Sequence, residues 1–262
     1  MTASRNQSSS LRRALDLLGV VAAACERGHS PTLTEIAAAS GVNRSTVSRL
    51  LQPLAEARLV EQDEDTGRYR LGPQTARLGQ IYLEHFDVHD VAEPVLRTLV
   101  AETQETAHLG VRDGVDVVYV DKVESPLSVR TVSRIGSRQP LYSTAMGKML
   151  LAHSDTSVLD AVVQHGMQAR TEYTIVEPEA LRAEMERARA EGYAIDDQEN
   201  ECEIRCVGAP VFDHRGDVVA AISISGPATR MPLDRLGGLA SVVRNAAAEI
   251  SRRLGASEEA LR

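Results

Sequence analysis

The chain has no tryptophan and two phenylalanines, and aromatic residues make up 3% of its 262 positions. It therefore offers no stacking platform for single-stranded nucleic acid. Three cysteines, Cys25, Cys202 and Cys206, are too few and odd in number for a disulfide framework, which fits a reducing compartment. No run approaches the ~20 apolar residues that cross a bilayer. The stretch Met1–Ser10 is polar and lacks the apolar core of a signal peptide. The expected location is cytoplasmic, with no membrane partner. A glycine-rich phosphate loop is absent. Lysine is nearly absent too: Lys122 and Lys148 are lysines and every other basic residue is arginine, a bias that a GC-rich genome accounts for.

What is present is a soluble mix, 43% hydrophobic and 25% charged, in a chain long enough for two domains. The net charge of −8 divides unevenly. Residues 1–80 hold ten arginines against eight acids, and residues 81–262 hold 19 basic against 29 acidic residues. A mildly basic head on an acidic body is compatible with duplex binding by the head alone.

The head reads as helices. Ser10 to Arg27 carries Leu11, Ala14, Leu15, Leu18 and Ala22 at helical spacing, one apolar face. Thr32 and Glu35 form a T-x-x-E capping box for a second helix, with Leu33, Ile36 and Ala37 inward and Gly41 at its end. Asn43 is a good N-cap for a third. Val47, Leu50, Leu51 and Leu54 make its inner face; Ser45, Ser48, Arg49 and Gln52 make the outer one, with Arg44 and Thr46 at the leading end. No acid occurs from Asn43 to Ala55, which suits a face pressed against phosphates. A short helix, a glycine turn and a helix with small polar and arginine residues outward is the helix-turn-helix pattern. Pro53 predicts a kink or early end of the third helix. Leu59-Val60-Glu61, an acidic turn and Arg68–Leu71 read as a wing, with Arg68 and Arg70 on one strand face.

Gly72-Pro73 opens a linker helix with Leu78, Ile81 and Tyr82 on one side. The expected domains are 1–72, a linker at 73–86, and a body at 87–262. In the body a helix begins near Asp90 and Glu93. A hairpin of Thr106–Val111 and Val117–Val120 turns at Asp113-Gly114, and Leu127–Val132 reads as a third strand. Helices follow at Ala145–His153, Ser157–His165 and Pro178–Glu191. Strands follow at Tyr193–Ile195, Cys206–Phe212 and Val218–Ser225, then a helix over Leu233–Leu254. This is an α+β domain on a largely antiparallel sheet.

Two clusters in the body carry candidate chemistry. Tyr142–Lys148 places small residues at a helix start, whose N–H groups suit a carboxylate. Asp196–Cys206 joins Ser223 and Ser225, two hydroxyls on one face of an apolar strand. Such groups need partners, from a ligand, backbone or water. Two other readings stand beside this one: a metal sensor using Cys202, Cys206 and His214, whose spacings match no standard zinc set, and a thiol enzyme pairing Cys206 with His165 or His214, for which no local motif speaks.

These residues resemble the IclR-type bacterial transcriptional regulators over nearly the whole chain. The resemblance rests on Ser10-Leu-Arg-Arg-Ala-Leu, Leu33-Thr-Glu-Ile-Ala, Arg44-Ser-Thr-Val-Ser-Arg-Leu-Leu and Tyr69-Arg-Leu-Gly. It rests further on Gly192–Glu199, Cys206–Asp213 and Ala220–Pro227. It implies a winged helix-turn-helix, a linker helix and a GAF-like effector domain, with no cofactor and no catalysis. It implies a homodimer, or a dimer of dimers, on double-stranded operator DNA. The implied effector positions are Ala145, Met146, Asp196, Cys206, Ser223 and Ser225, and the implied ligand is a small organic acid or catabolite. The expected DNA-reading residues are Asn43, Arg44, Ser45, Thr46, Ser48 and Arg49, with Arg68 and Arg70 on the wing. Two departures stand out. Glu203 occupies a position where relatives often have glycine, and Ala145-Met146 one where they have small residues.

Overall fold

The computed structural model describes residues 3–84 and 88–261, and the side chains of residues 3–9, 26 and 79–84 lie outside the description. Contacts gather the chain into two units, Met1–Phe86 and Asp87–Arg262. Asp87, the expected start of the body, and the side chains of Ile81 and Tyr82 fall outside the described residues.

The first unit runs α1 (Ala3–Glu26), α2 (Leu33–Ser40), α3 (Arg44–Glu56), β1 (Val60–Gln62), β2 (Tyr69–Leu71) and α4 (Pro73–Glu84), with β1 and β2 antiparallel. The capping box forms as its sequence requires. The Thr32 amide donates to Glu35 Oε2 at 2.6 Å and the Glu35 amide to Thr32 Oγ1 at 3.3 Å. Gly41, at φ +67°, takes the left-handed turn that ends α2. Asn43 Oδ1 accepts from the Thr46 amide at 2.9 Å and starts α3. Val47, Leu50, Leu51 and Leu54 are then buried against Ala14, Leu17, Val21 and Ile36.

Two expectations are corrected here. The buried face of α1 is Ala14, Leu17, Val21 and Ala24, while Leu11 and Leu15 are 64% and 53% exposed. The helix carries two neighbouring apolar stripes, and the one not facing α2 and α3 points outward. Nor does α3 end at Pro53; it continues to Glu56. Proline removes one helix bond, but Leu54 just beyond it is fixed in the core, and the Ala57 amide closes on the Pro53 carbonyl at 3.0 Å. Packing on both sides of the proline holds the helix together.

The second unit runs α5 (Val88–Thr103), β3 (Thr106–Asp113), β4 (Asp116–Val123), β5 (Arg138–Pro140), α6 (Ala145–Ala152), α7 (Thr156–His165), α8 (Pro178–Glu191), β6 (Ala194–Asp197), β7 (Ile204–Phe212), β8 (Val218–Pro227) and α9 (Leu233–Arg253). The six strands form one sheet ordered β5-β4-β3-β8-β7-β6, with every pairing antiparallel. Along β8, Ala221, Ser223 and Ser225 share the face that α6 covers; Ala220, Ile222 and Ile224 share the opposite face, on the side of α5 and α9. The expected strand at Leu127–Val132 is absent, and the third strand of this edge is β5. Pro126 precedes the segment, and Val129 and Val132 are 69% and 88% exposed. Residues 127–130 are all exposed, so the segment is an irregular strap and not a ladder.

Gly208 fixes how closely α6 lies on the sheet. A Cβ there would stand 2.8 Å from the Ala145 carbonyl carbon and 3.0 Å from the Met146 amide nitrogen, so only glycine lets the first peptide of α6 rest on β7. Gly208→Val is expected to lower unfolding free energy by about 1–3 kcal/mol, the usual cost of overpacking, in urea denaturation of the full chain. An unchanged midpoint would contradict the close approach.

Candidate functional site

Register across the sheet brings the body's polar residues together. Asp196 pairs with Cys206, and Cys206 with Ser225, on three adjacent strands. Ser223 pairs with His108 one step along. Above this patch the start of α6 is held by Thr144, whose Oγ1 accepts from the Gly147 amide at 3.1 Å. The first amides of a helix have no intrahelical acceptor, and α6 opens with Ala145 and Met146. Between patch and helix lies a cavity of about 240 Å³. Ala145, Met146, Asp196, Cys206, Ser223 and Ser225 all line it, so the two sequence clusters meet in one place.

Sequence reasoning missed other walls of the same cavity: His108 and Tyr119 on β3 and β4, Asn200 after β6, and Thr131, Ser133 and Arg134 on the strap. No motif marked His108 or the strap, because their partners are far away in the chain. His108 Nε2 lies 2.7 Å from Ser133 Oγ and joins strap to sheet. Its ring stands 4.9 Å from that of Tyr119. His108 Nδ1 and Thr131 Oγ1 are buried without a hydrogen-bond partner. Orphaned buried polar atoms are costly, and here two border one cavity.

Burial sets the charge state of the floor. It pushes His108 down to about 4, with Lys122 adding to the effect, so the imidazole is neutral near pH 7. Desolvation pushes Asp196 up to about 7, although the amides of Glu199 and Asn200 donate to its Oδ1 at 2.8 and 3.2 Å and oppose the shift. Burial and the nearby Asp196 push the Cys206 thiol up, and Ser225 Oγ donates to its sulfur at 3.0 Å. A neutral thiol is a poor nucleophile.

The turn after β6 is clamped. The Lys148 ammonium, fully buried in α6, pairs with Glu199, donates to the Ile195 carbonyl at 2.9 Å and reaches Glu184 at 3.4 Å. Three donors meet three acceptors.

In the first unit, Arg44, Ser45, Ser48 and Arg49 are exposed on α3, and neither arginine has an ion-pair partner among the described residues. Asn43 is occupied as a cap and also accepts from Ser45 Oγ at 2.9 Å. Both wing arginines are engaged within the unit. Arg68 donates to the Ser30 carbonyl at 2.7 Å and lies 3.6 Å from Glu35, while Arg70 pairs with Glu61 at 3.2 Å.

Two family models cover this chain. The IclR helix-turn-helix domain matches residues 10–64, and the bacterial transcriptional regulator IclR C-terminal domain matches residues 80–252. The chain belongs to the IclR family. Among curated relatives, the HTH-type transcriptional regulator KdgR of Escherichia coli is 36% identical over 95% of each chain. The regulator BhcR of Paracoccus denitrificans is 36% identical over 92% of this chain and 85% of its own. The crystal structure of Agobacterium tumefaciens repressor BlcR, 28% identical, superposes with a TM-score of 0.83 over 95% of this chain and 98% of that one.

As an IclR-family member the chain is a DNA-binding transcriptional regulator, not an enzyme. The alternative chemistry also lacks geometry. Cys206 faces the cavity while His214 lies in the turn past the far end of β7, beyond six residues of strand, about 20 Å at strand rise. Cys202 is exposed, and no His/Cys/Asp/Glu group suited to a metal occurs among the described residues. His165 borders a separate hollow with Val162 and Gln168. Glu203 sits at φ +64°, the left-handed region where a side chain costs about 1–2 kcal/mol.

The Asp196 shift has a sign. With its pKa raised from 3.8 to about 7, the folded chain keeps a proton that the unfolded chain releases between those values. This contribution to stability is complete below the lower value and lost as pH rises through the upper. Asp196→Asn keeps the Oδ1 acceptor and removes the titration. Its unfolding free energy relative to wild type should therefore rise between about pH 4 and pH 7 in urea titrations and level off above. A pH-independent difference would contradict a buried, proton-holding Asp196.

Proposed function

We propose that this regulator is a repressor that binds a near-palindromic operator as a homodimer, or a dimer of dimers, and responds to a small organic acid held in the 240 Å³ cavity. The observation that carries the reading is the convergence of six residues from four elements on a cavity bordered by two unpartnered buried polar atoms, His108 Nδ1 and Thr131 Oγ1. At about 30 Å³ per water, that volume holds roughly eight water-sized groups, the scale of a three- to six-carbon acid. The start of α6 and Arg134 supply positive character for a carboxylate. Ser133, Ser223 and Ser225 supply hydroxyls for the remainder, and burial disfavours the charged forms of Asp196 and Cys206, which lessens their repulsion of an anion.

The proposed domains are the winged helix-turn-helix at 1–72, a linker helix at 73–86 and the effector domain at 87–262. The second apolar stripe on α1, with Leu11 and Leu15 exposed, supports pairing of two heads, because a face of that kind on a surface helix calls for a partner. In the operator complex α3 enters the major groove. Arg44, Ser48 and Arg49 make base and phosphate contacts; Asn43, Ser45 and Thr46 form the capped leading end that approaches the backbone. Arg68 and Arg70 border the wing, where exchange of their internal carboxylate partners for phosphate is required before they touch DNA. The protein works in the cytoplasm.

Removing one arginine contact to DNA typically costs ~1–3 kcal/mol. Arg49→Ala is therefore expected to weaken operator binding by roughly tenfold to a hundredfold in a gel shift, with the thermal unfolding midpoint unchanged. Wild-type affinity would overturn the reading-helix assignment. Ser223→Val should preserve operator binding and abolish the organic-acid response in the same assay. A normal response would displace the ligand from this cavity.

A further inference from the structure

A second cavity, of about 120 Å³, lies elsewhere on the effector unit. It opens at the far end of the same helix, since His153 caps the C-terminus of α6. Strand β7 also runs between the two, with Cys206 at the first cavity and Phe212 at the second.

The walls of the second cavity combine apolar surface with unbalanced positive charge. Phe212, Ala247 and Leu261 contribute the apolar part; Arg189 on α8 and Arg244 on α9 contribute two guanidiniums. Neither arginine has an ion-pair partner among the described residues. Arg189 is fixed in place, its Nε donating to the Ala152 carbonyl at 2.6 Å, which leaves its terminal nitrogens available. The His153 ring stands edge-on to Phe212 at 5.3 Å. Its Nε2 is buried without a hydrogen-bond partner.

We infer that this cavity is a second ligand site, for a short-chain monocarboxylate, with Arg189 and Arg244 holding the carboxylate, His153 donating from Nε2, and Phe212, Ala247 and Leu261 covering the alkyl body. Guanidinium forks match carboxylate geometry. The volume corresponds to roughly four waters, which suits a chain of about four carbons. Burial and the Arg189 charge push His153 down to about 4. The Arg189 charge, the smaller of the two causes, favours an anion, and a bound carboxylate would pull the imidazole back up. The site is separate from the cavity assigned above to the regulatory acid, and it stands or falls independently of that assignment.

The test is histidine side-chain NMR of the full chain titrated with sodium butyrate at constant ionic strength, with His153→Gln used to assign the signal. The expected result is a saturable shift of His153 and a rise in its pKa. Arg244→Gln, or Arg189→Lys, which keeps the charge and loses the fork, should weaken that titration at least tenfold. Ser223→Val, in the other cavity, should leave it unchanged. Using two arginine variants guards against one that fails to fold. The proposal is overturned if His153 does not respond to butyrate, if its response survives both arginine substitutions in folded protein, or if Ser223→Val removes it. It is equally overturned if inorganic phosphate, which has no alkyl body, binds as tightly as butyrate.

Discussion

The effector unit is organised around one buried ammonium. Lys148 sits inside α6 with no exposed surface, and its three N–H donors meet Glu199, Glu184 and the Ile195 carbonyl. An isolated buried charge is expensive, and removing one partner of such a pair typically costs about 3–5 kcal/mol. The constraint therefore ties α6 firmly to the turn after β6. That turn in turn carries the amides that Asp196 accepts, at Glu199 and Asn200. Floor and roof of the cavity are thus held in a fixed relation by side chains that lie behind it. A guanidinium would not substitute, because its planar fork cannot meet three acceptors spread around a point.

The second lysine works on the opposite wall. Lys122 donates to the Ser133 carbonyl at 2.6 Å and to Glu124 at 2.9 Å, anchoring the strap whose Ser133 hydroxyl meets His108. The strap has no ladder of its own, and its Val129 and Val132 face water. It is held to the sheet by side-chain contacts at the border of the cavity. Gly208 completes the arrangement by letting the first peptide of α6 lie on β7.

Much of this was legible in the residues. Capping signals at Thr32, Glu35, Gly41 and Asn43 placed α2 and the start of α3 to within a residue, because those interactions are local. The alternation Ile222-Ser223-Ile224-Ser225 put both hydroxyls on one face of β8, and they are there. What failed was non-local. Of the kink or early end that Pro53 suggested, the early end does not occur, because tertiary packing of Leu54 carries α3 past it. Leu127–Val132 alternates like a strand but has no neighbour to pair with. On α1 two stripes competed for the core, and Leu11 and Leu15 belonged to the outer one. The scarcity of lysine read as genome composition, and nothing local indicated that Lys148 is enclosed by acids from α8 and the β6 turn. His108 was invisible for the same reason, since Ser133 and Ser223 reach it only through the fold.

Regulation requires that the ligand bind one state of the protein, DNA-bound or free, better than the other. The coupling is reciprocal: whatever factor the ligand imposes on operator affinity, the operator imposes on ligand affinity. The decisive measurement takes the organic acid that most raises the unfolding temperature of the full chain. Its dissociation constant is determined by calorimetry with and without saturating operator duplex, beside the operator constant with and without saturating acid. Regulation through the cavity predicts the same factor, on the order of 5–150-fold, in both directions, and loss of both in Ser223→Val. An acid that binds in the cavity with one affinity whether or not operator is present would contradict it.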